Sequence, residues 1–155
     1  MARKKLQFIY KFIISKLFQI IYGKIVFLNQ NDNDVEIKEV NKEKNNYKFI
    51  EINNGRIFTD YIEHVAVINK NQIMDFVSYQ QVEGVFRNPK LNVVLKNGTP
   101  KFKKKFNGKV FSLVQGASGN NNYFHWMFDI LPRLIILEKF YNLNDINFFY
   151  CPQIK

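Results

Sequence analysis

The last third of the chain carries the pattern that most restricts its fold. Residues 109–114 (KVFSLV) and 146–150 (INFFY) are short apolar runs that predict two strands. Between them stand a loop rich in glycine and asparagine and an apolar stretch of helical length, from Tyr123 to about Tyr141. This order predicts a βαβ unit, with parallel strands and a right-handed crossover.

The predicted parallel sheet is short of elements. Parallel strands are normally buried on both faces, with a helix after nearly every strand. Here the second strand is reached at Tyr150 of a 155-residue chain. We therefore expect an α/β fold in which residues 109–155 form the start of a Rossmann-like sheet that is incomplete.

Residues 31–108 predict a β-hairpin front region, an antiparallel meander. Apolar runs alternate there with turn signals, as at 47–52, 62–68 and 91–95. Asparagine–glycine pairs suit type I′ hairpin turns because both residues tolerate positive φ. Such pairs occupy 54–55, 97–98 and 107–108, and Asn69-Lys70-Asn71 is a weaker signal of the same kind.

Residues 1–30 predict a basic amphipathic helix. Of the net charge of +10, residues 1–28 carry six basic residues and no acidic one. Lysines interrupt the apolar residues, so no run approaches the roughly 20 that a membrane span needs, and no signal peptide is formed. The pattern fits a helix lying on an anionic membrane surface. It fits equally an ordinary amphipathic helix packed on its own domain.

The composition excludes several classes of protein. A hydrophobic fraction of 46% supports a real core. The single cysteine, Cys151, allows neither an internal disulfide nor a thiolate metal cluster, and a reducing, cytosolic setting fits best. Only four of the 23 basic residues are arginine, and no nucleic-acid-binding motif is present. We therefore expect no nucleic-acid partner.

The segment 122–133, NYFHWMFDILPR, carries the chemistry. On a helix, four polar side chains fall within an arc of about 80°, and the rest of the segment is apolar: the four are Asn122, His125, Asp129 and Arg133. A histidine oriented by a carboxylate is an acid/base pair. Arg133 suits a phosphate or carboxylate, or it neutralises Asp129. The alternative is a buried structural network that fixes the helix to the sheet.

Two features flank this polar stripe. The loop GASGNNN, with Gly116 and Gly119, precedes the helix, and its free amides suit an anion or sugar hydroxyls as substrate. Its asparagines would alternatively only cap the helix. Pro132 predicts either a kink or the start of a second helix.

The run NNNYFHWMFDILPRL, with the upstream GASG, resembles the N-terminal signature of family 61 glycosyltransferases. In bacterial members that signature reads roughly Asn-Tyr-Tyr-His-Trp, then an acidic residue and Leu-Pro-Arg-Leu. The resemblance covers roughly residues 50–150 and is most specific over 122–134.

The resemblance implies an inverting glycosyltransferase of the GT-B type, active in surface polysaccharide synthesis. The basic first helix would hold it at the cytoplasmic face of the membrane. The resemblance also implies a nucleotide-sugar donor, a glycan acceptor and no need for a metal. Asn122 and Arg133 would line the cleft, and His125 or Asp129 would be the catalytic base. A donor-binding C-terminal half would be missing, so we expect this chain alone to be inactive. The rival interpretation is a non-catalytic membrane-surface or glycan-binding module.

Overall fold

A computed structural model describes residues 2–27, 35–42, 45–59, 65–74, 77–78, 80–82, 85–114 and 123–151. The protein is a mixed α/β chain with parallel and antiparallel strand pairs. In chain order its elements are α1 (Ala2–Tyr22), β1 (Val26–Phe27), β2 (Val35–Lys42), β3 (Asn45–Ile52), β4 (Arg56–Thr59), β5 (Val65–Asn69), β6 (Gln72–Ile73), β7 (Gln80–Val82), β8 (Val85–Arg87), α2 (Val93–Asn97), β9 (Val110–Ser112), the helical segment α3 (123–137) and β10 (Phe148–Tyr150).

A four-stranded sheet in the order β1-β6-β5-β4 holds the main core. β1 runs parallel to β6, and the other neighbours are antiparallel. Apolar side chains from this sheet and from α2 form one buried cluster: Ile25, Phe58, Ala66, Ile68, Ile73 and Val94. The front region is therefore β-rich, as predicted, but one short helix contributes to its core.

One of the predicted turns is a true two-residue hairpin. Lys70 and Asn71 have φ of 44° and 64°, and they join β5 to β6 with Asn69 opposite Gln72. These angles are those of a type I′ turn, whose twist matches that of the strands. The weakest of the predicted turn signals is thus confirmed.

Two of the asparagine–glycine pairs do not form the two-residue hairpins that were predicted. Residues 54–55 connect β3 to β4, which belong to different sheets. Residues 97–98 end α2, where the Gly98 N–H donates to the Val94 carbonyl at 2.8 Å. The strand predicted at 91–95 is therefore wrong. Asn92 starts a helix there because its Oδ1 accepts from the Val94 N–H, while its Nδ2 donates to the Val65 carbonyl.

The predicted strand–helix–strand unit is confirmed in its order and in its strand direction. β9 and β10 pair in parallel, with Val110 opposite Phe148 and Ser112 opposite Tyr150, and α3 lies between them in the chain. The pair also contacts the front region. The Tyr150 hydroxyl lies 2.8 Å from Oγ1 of Thr59 at the end of β4.

None of the helices in the described part of the chain is long and apolar enough to cross a membrane. α1 is the longest of them, and only its C-terminal half is in contact with the body of the protein, through Ser15 and Phe18.

Candidate functional site

The helix α3 changes its hydrogen-bonding register in the middle of the motif. An α-helical turn, Tyr123–His125, leads into a π-helical turn, Trp126–Ile130, and an α-helix follows, Leu131–Leu137. The Leu131 N–H donates to the Trp126 carbonyl, five residues back. Pro132 comes next; it has no N–H, and in a regular helix its ring would clash with the Phe128 carbonyl. The wider turn relieves this conflict, so the helical backbone continues through Pro132.

His125 and Asp129 form a hydrogen-bonded pair on this turn. The His125 Nδ1 lies 2.6 Å from the Asp129 Oδ2. An ionised carboxylate only accepts hydrogen bonds, so Nδ1–H donates in this contact, and in the neutral ring the lone pair is then on Nε2. The side chains are 25% and 43% exposed, so a substrate can reach the pair. The contact between His125 and Asp129 is the one predicted from their i, i+4 spacing.

Arg133 points to a different partner than its spacing suggested. Its Nη1 lies 3.5 Å from the carbonyl oxygen of Leu113, just beyond the end of β9. Within the described residues no ion pair joins Arg133 to Asp129. Asp129 lies within the π-helical turn, and the Arg133 side chain extends from the α-helical turn that follows towards the end of β9. Arg133 therefore ties α3 to the parallel strands.

An open cleft of about 3180 Å³ lies between α3, the β9–β10 pair, the edge of the front sheets and the segment 99–109. His125, Phe128, Asp129, Pro132 and Arg133 line it from α3. Its described lining contains two acidic residues, Glu51 and Asp129, and nine basic ones: Lys48, Arg56, Lys70, Lys101, Lys103, Lys104, Lys105, Lys109 and Arg133. A cleft lined by one sign of charge concentrates ligands of the opposite sign.

Arg56 and Lys103 are two of these cations, and sequence reasoning missed both. Arg56 Nη2 donates to Asn71 Oδ1 at 3.1 Å, and its Nη1 is buried without a hydrogen-bond partner in the described structure. Burial lowers the pKa of Arg56. Burial, and then the positive charges of Arg56 and Lys105, lower the pKa of Lys103. Cations are therefore crowded on this wall, and no local sequence pattern joins β4 to the segment 99–109.

A second polar group in the cleft lining contains Glu51 and Tyr141. The Tyr141 hydroxyl donates to Glu51 Oε2, and Lys38 Nζ lies 3.5 Å from the same carboxylate oxygen. The hydrogen bond to Glu51 is the main cause that raises the pKa of Tyr141, ahead of burial. This link fastens the chain after α3 to β3, and its members are 90 residues apart in sequence.

The remaining predictions concern the loop residues before α3, a metal ion and the surface of α3. Gly116, Gly119 and Asn122 lie outside the described residues. Within the described part of the chain, no group of three or more His, Cys, Asp or Glu side chains is placed to hold a metal ion. The apolar residues of this helix are not all buried, because Tyr123, Phe124, Phe128 and Ile135 are exposed.

Comparison of the chain with family models, with characterised proteins and with solved structures finds no significant match. The basis for a function of this site is therefore its geometry and the resemblance of residues 122–134.

Proposed function

We propose that this chain is the N-terminal part of an inverting glycosyltransferase of the GT-B type. It would transfer a sugar from a nucleotide-sugar donor to a hydroxyl group of a glycan acceptor, in the synthesis of a surface polysaccharide. The observation that carries the proposal is the His125–Asp129 pair, with Nδ1 and Oδ2 at 2.6 Å, on the wall of a large basic cleft.

The chemistry of an inverting transfer matches this pair. The Nε2 atom of His125 removes the proton of the acceptor hydroxyl as its oxygen attacks the anomeric carbon. The bond from that carbon to the phosphate oxygen breaks on the opposite face, and the nucleoside diphosphate leaves with the bonding electrons. Asp129 orients the imidazole and stabilises the imidazolium that forms.

The leaving group carries negative charge that must be stabilised. Metal-independent transferases rely on protein cations for this purpose. Arg56 and Lys103 lie on the cleft wall, and the described lining contains few carboxylates. These residues supply charge to the cleft without a metal ion. They do not by themselves define a nucleotide site.

The nucleotide is assigned in this proposal to a C-terminal half that the described residues do not include. The exposed apolar side of α3 gives that half a surface on which to pack: Phe124, Phe128, Leu131 and Ile135 recur at helical spacing and are all exposed. A cleft between two halves would then have His125 on its acceptor side.

A glycan-binding module without catalysis is the second candidate. The exposed rings of Phe124 and Phe128, with centroids 4.7 Å apart beside the cleft, favour it because aromatic faces stack on sugar rings. Such a module would bind glycan without a donor and would not depend on the basicity of His125.

The experiment that separates the two is made on the complete gene product. The DNA beyond the codon for Lys155 and the mass of the native protein define that product, which is then assayed for nucleoside diphosphate release from a panel of nucleotide sugars. Release that depends on added acceptor supports the transferase, and we expect none from the 155-residue chain alone. A native mass equal to 18.5 kDa, with glycan binding and no turnover, would support the module.

A further inference from the structure

α1 is attached to the protein by its polar side. Ser15 Oγ donates to the Asn97 carbonyl at 2.5 Å, and Gln19 Nε2 donates to the Lys96 carbonyl at 3.1 Å. These are among the last carbonyls of α2, so α1 satisfies helix-end groups that have no intrahelical partner. Phe18 and Tyr22 complete the attachment, with the Phe18 ring 5.1 Å from that of Phe102.

The apolar side of α1 points the other way. At about 100° per residue, five aliphatic side chains fall within an arc of about 80°, and this arc lies opposite the attached side. We call these residues the apolar stripe of α1: Leu6, Ile9, Ile13, Leu17 and Ile20. Each of the five is exposed, from 47% for Ile9 to 82% for Ile20. Every residue from Arg3 to Ile13 is exposed as well.

This orientation is the reverse of that expected for a helix that packs on its own domain, which buries its apolar side. An exposed row of five aliphatic side chains on one side of a helix marks a contact with another molecule. α1 thus packs on its own domain, as one of the two interpretations from the sequence expected, but it does so with the side opposite the apolar stripe.

The charges beside the stripe indicate what that other molecule is. On the helical projection Lys5 and Lys16 border one edge of the stripe and Arg3 borders the other. No acidic residue occurs among residues 1–28. A second copy of the chain would bring the same positive charges together, which is unfavourable.

We propose that α1 lies flat in an anionic lipid surface. The apolar stripe enters the boundary between headgroups and acyl chains along about 21 Å of helix. Lys5, Lys16 and Arg3 extend their stems along the stripe and place their charges among the lipid phosphates. Because Ser15 and Gln19 fix the helix to α2 on the opposite side, the body of the protein, with its cleft, is held against the membrane. The proposal does not depend on the glycosyltransferase activity.

The test is co-sedimentation of the 155-residue chain with vesicles. One set is phosphatidylcholine alone, and the other is equal parts phosphatidylcholine and phosphatidylserine. We expect binding to the phosphatidylserine vesicles that weakens with added salt, and much weaker binding to the neutral ones.

Three variants locate the contact. Ile9→Ser, Ile13→Ser and Leu17→Ser together should weaken binding by about 100-fold or more. Lys5→Gln with Lys16→Gln should weaken it by about 30-fold at low salt. The matched control is Tyr123→Ser with Ile135→Ser, which removes exposed apolar groups from α3 and should bind as the wild type does.

Wild-type binding by the stripe variant would overturn the proposal, as would equal binding to both vesicle types. The proposal would also be overturned if the wild type formed a dimer and failed to bind vesicles, and the stripe variant did not form the dimer. A second copy of the chain would then cover α1. Far-UV circular dichroism shows whether the stripe variant folds. If it does not, the lysine variant decides, because both of its side chains are exposed.

Discussion

The Nδ1 atom of His125 lies 2.6 Å from the Oδ2 atom of Asp129, and the π-helical turn that holds Asp129 allows the helix to continue through Pro132. Both side chains of the pair therefore project from helical backbone and not from a loop. In the neutral ring, donation from Nδ1 to the carboxylate places the lone pair on Nε2. The first prediction depends on this position of the hydrogen atom.

The first prediction concerns the tautomer of His125. Asp129→Asn replaces an obligatory acceptor by an amide, so the Nδ1–H form loses its preference. We expect 15N NMR of the neutral ring to show mainly Nδ1–H in the wild type and a shift towards Nε2–H in the variant. The chain has one other histidine, and His64→Gln identifies its signals. Identical tautomer populations in the two proteins would remove the orienting role of Asp129.

The second prediction tests the packing of α3. Ile130 is fully buried, whereas Ile135 on the same helix is 57% exposed. Ile130→Ala should therefore lower the free energy of unfolding by about 2–5 kcal/mol. Ile135→Ala, the matched control, should change it by no more than about 0.5 kcal/mol. Chemical denaturation measures both, and equal losses would mean that α3 is not packed as described.

The third prediction concerns Gly23, which ends α1 and so sets its direction. Its φ is +82°, and a Cβ there would collide with the side-chain amide of Asn71. Gly23→Ala should cost about 1–3 kcal/mol of unfolding free energy. Gly55→Ala is the control, because its Cβ would meet a side-chain atom, Ile52 Cγ2 at 2.9 Å, and no left-handed φ is required. A smaller loss at Gly23 than at Gly55 would contradict this account of the helix end.

The fourth prediction follows from the Tyr141–Glu51 hydrogen bond. The raised pKa of Tyr141 means that the folded chain holds the phenolic proton more tightly than the unfolded chain does. Its contribution to stability is complete below the ordinary tyrosine pKa of about 10 and is lost as the pH rises through the raised pKa. Denaturation midpoints should therefore fall more steeply at alkaline pH in the wild type than in Tyr141→Phe.

Glu51→Gln serves as the companion variant, since it removes the charge that raises the pKa of Tyr141. Difference titration of tyrosine absorbance, with Tyr141→Phe as the reference, should show that pKa moving down towards its ordinary value. An unchanged titration would show that Glu51 is not the cause.

Much of the architecture was predictable where local pattern decides it. The apolar runs at 109–114 and 146–150 flank a stretch of helical length, and the structure pairs the two strands in parallel. The i, i+4 spacing likewise predicted the His125–Asp129 contact. Both depend on neighbours in the sequence or on a rule of chain connection.

The failures have physical causes. The run at 91–95 looks like a strand, yet the Asn92 cap and the Asn97-Gly98 ending make it helical. The i, i+4 spacing of Asp129 and Arg133 left the direction of the guanidinium open, and it extends to the Leu113 carbonyl. Arg56 and Lys103 meet across the cleft wall from distant parts of the chain, so nothing in the local sequence signalled them.

The most direct test of the proposed function is sugar transfer by the complete gene product, compared with its His125→Ala variant. The assay follows acceptor-dependent release of nucleoside diphosphate, and Leu91→Ala, which changes an exposed side chain outside the cleft lining, serves as the control variant. The account predicts turnover in the wild type and the control, and a loss of about 100-fold or more in His125→Ala, with unchanged unfolding behaviour. Near-normal turnover in a folded His125→Ala protein would contradict it and reduce the His125–Asp129 pair to a structural contact.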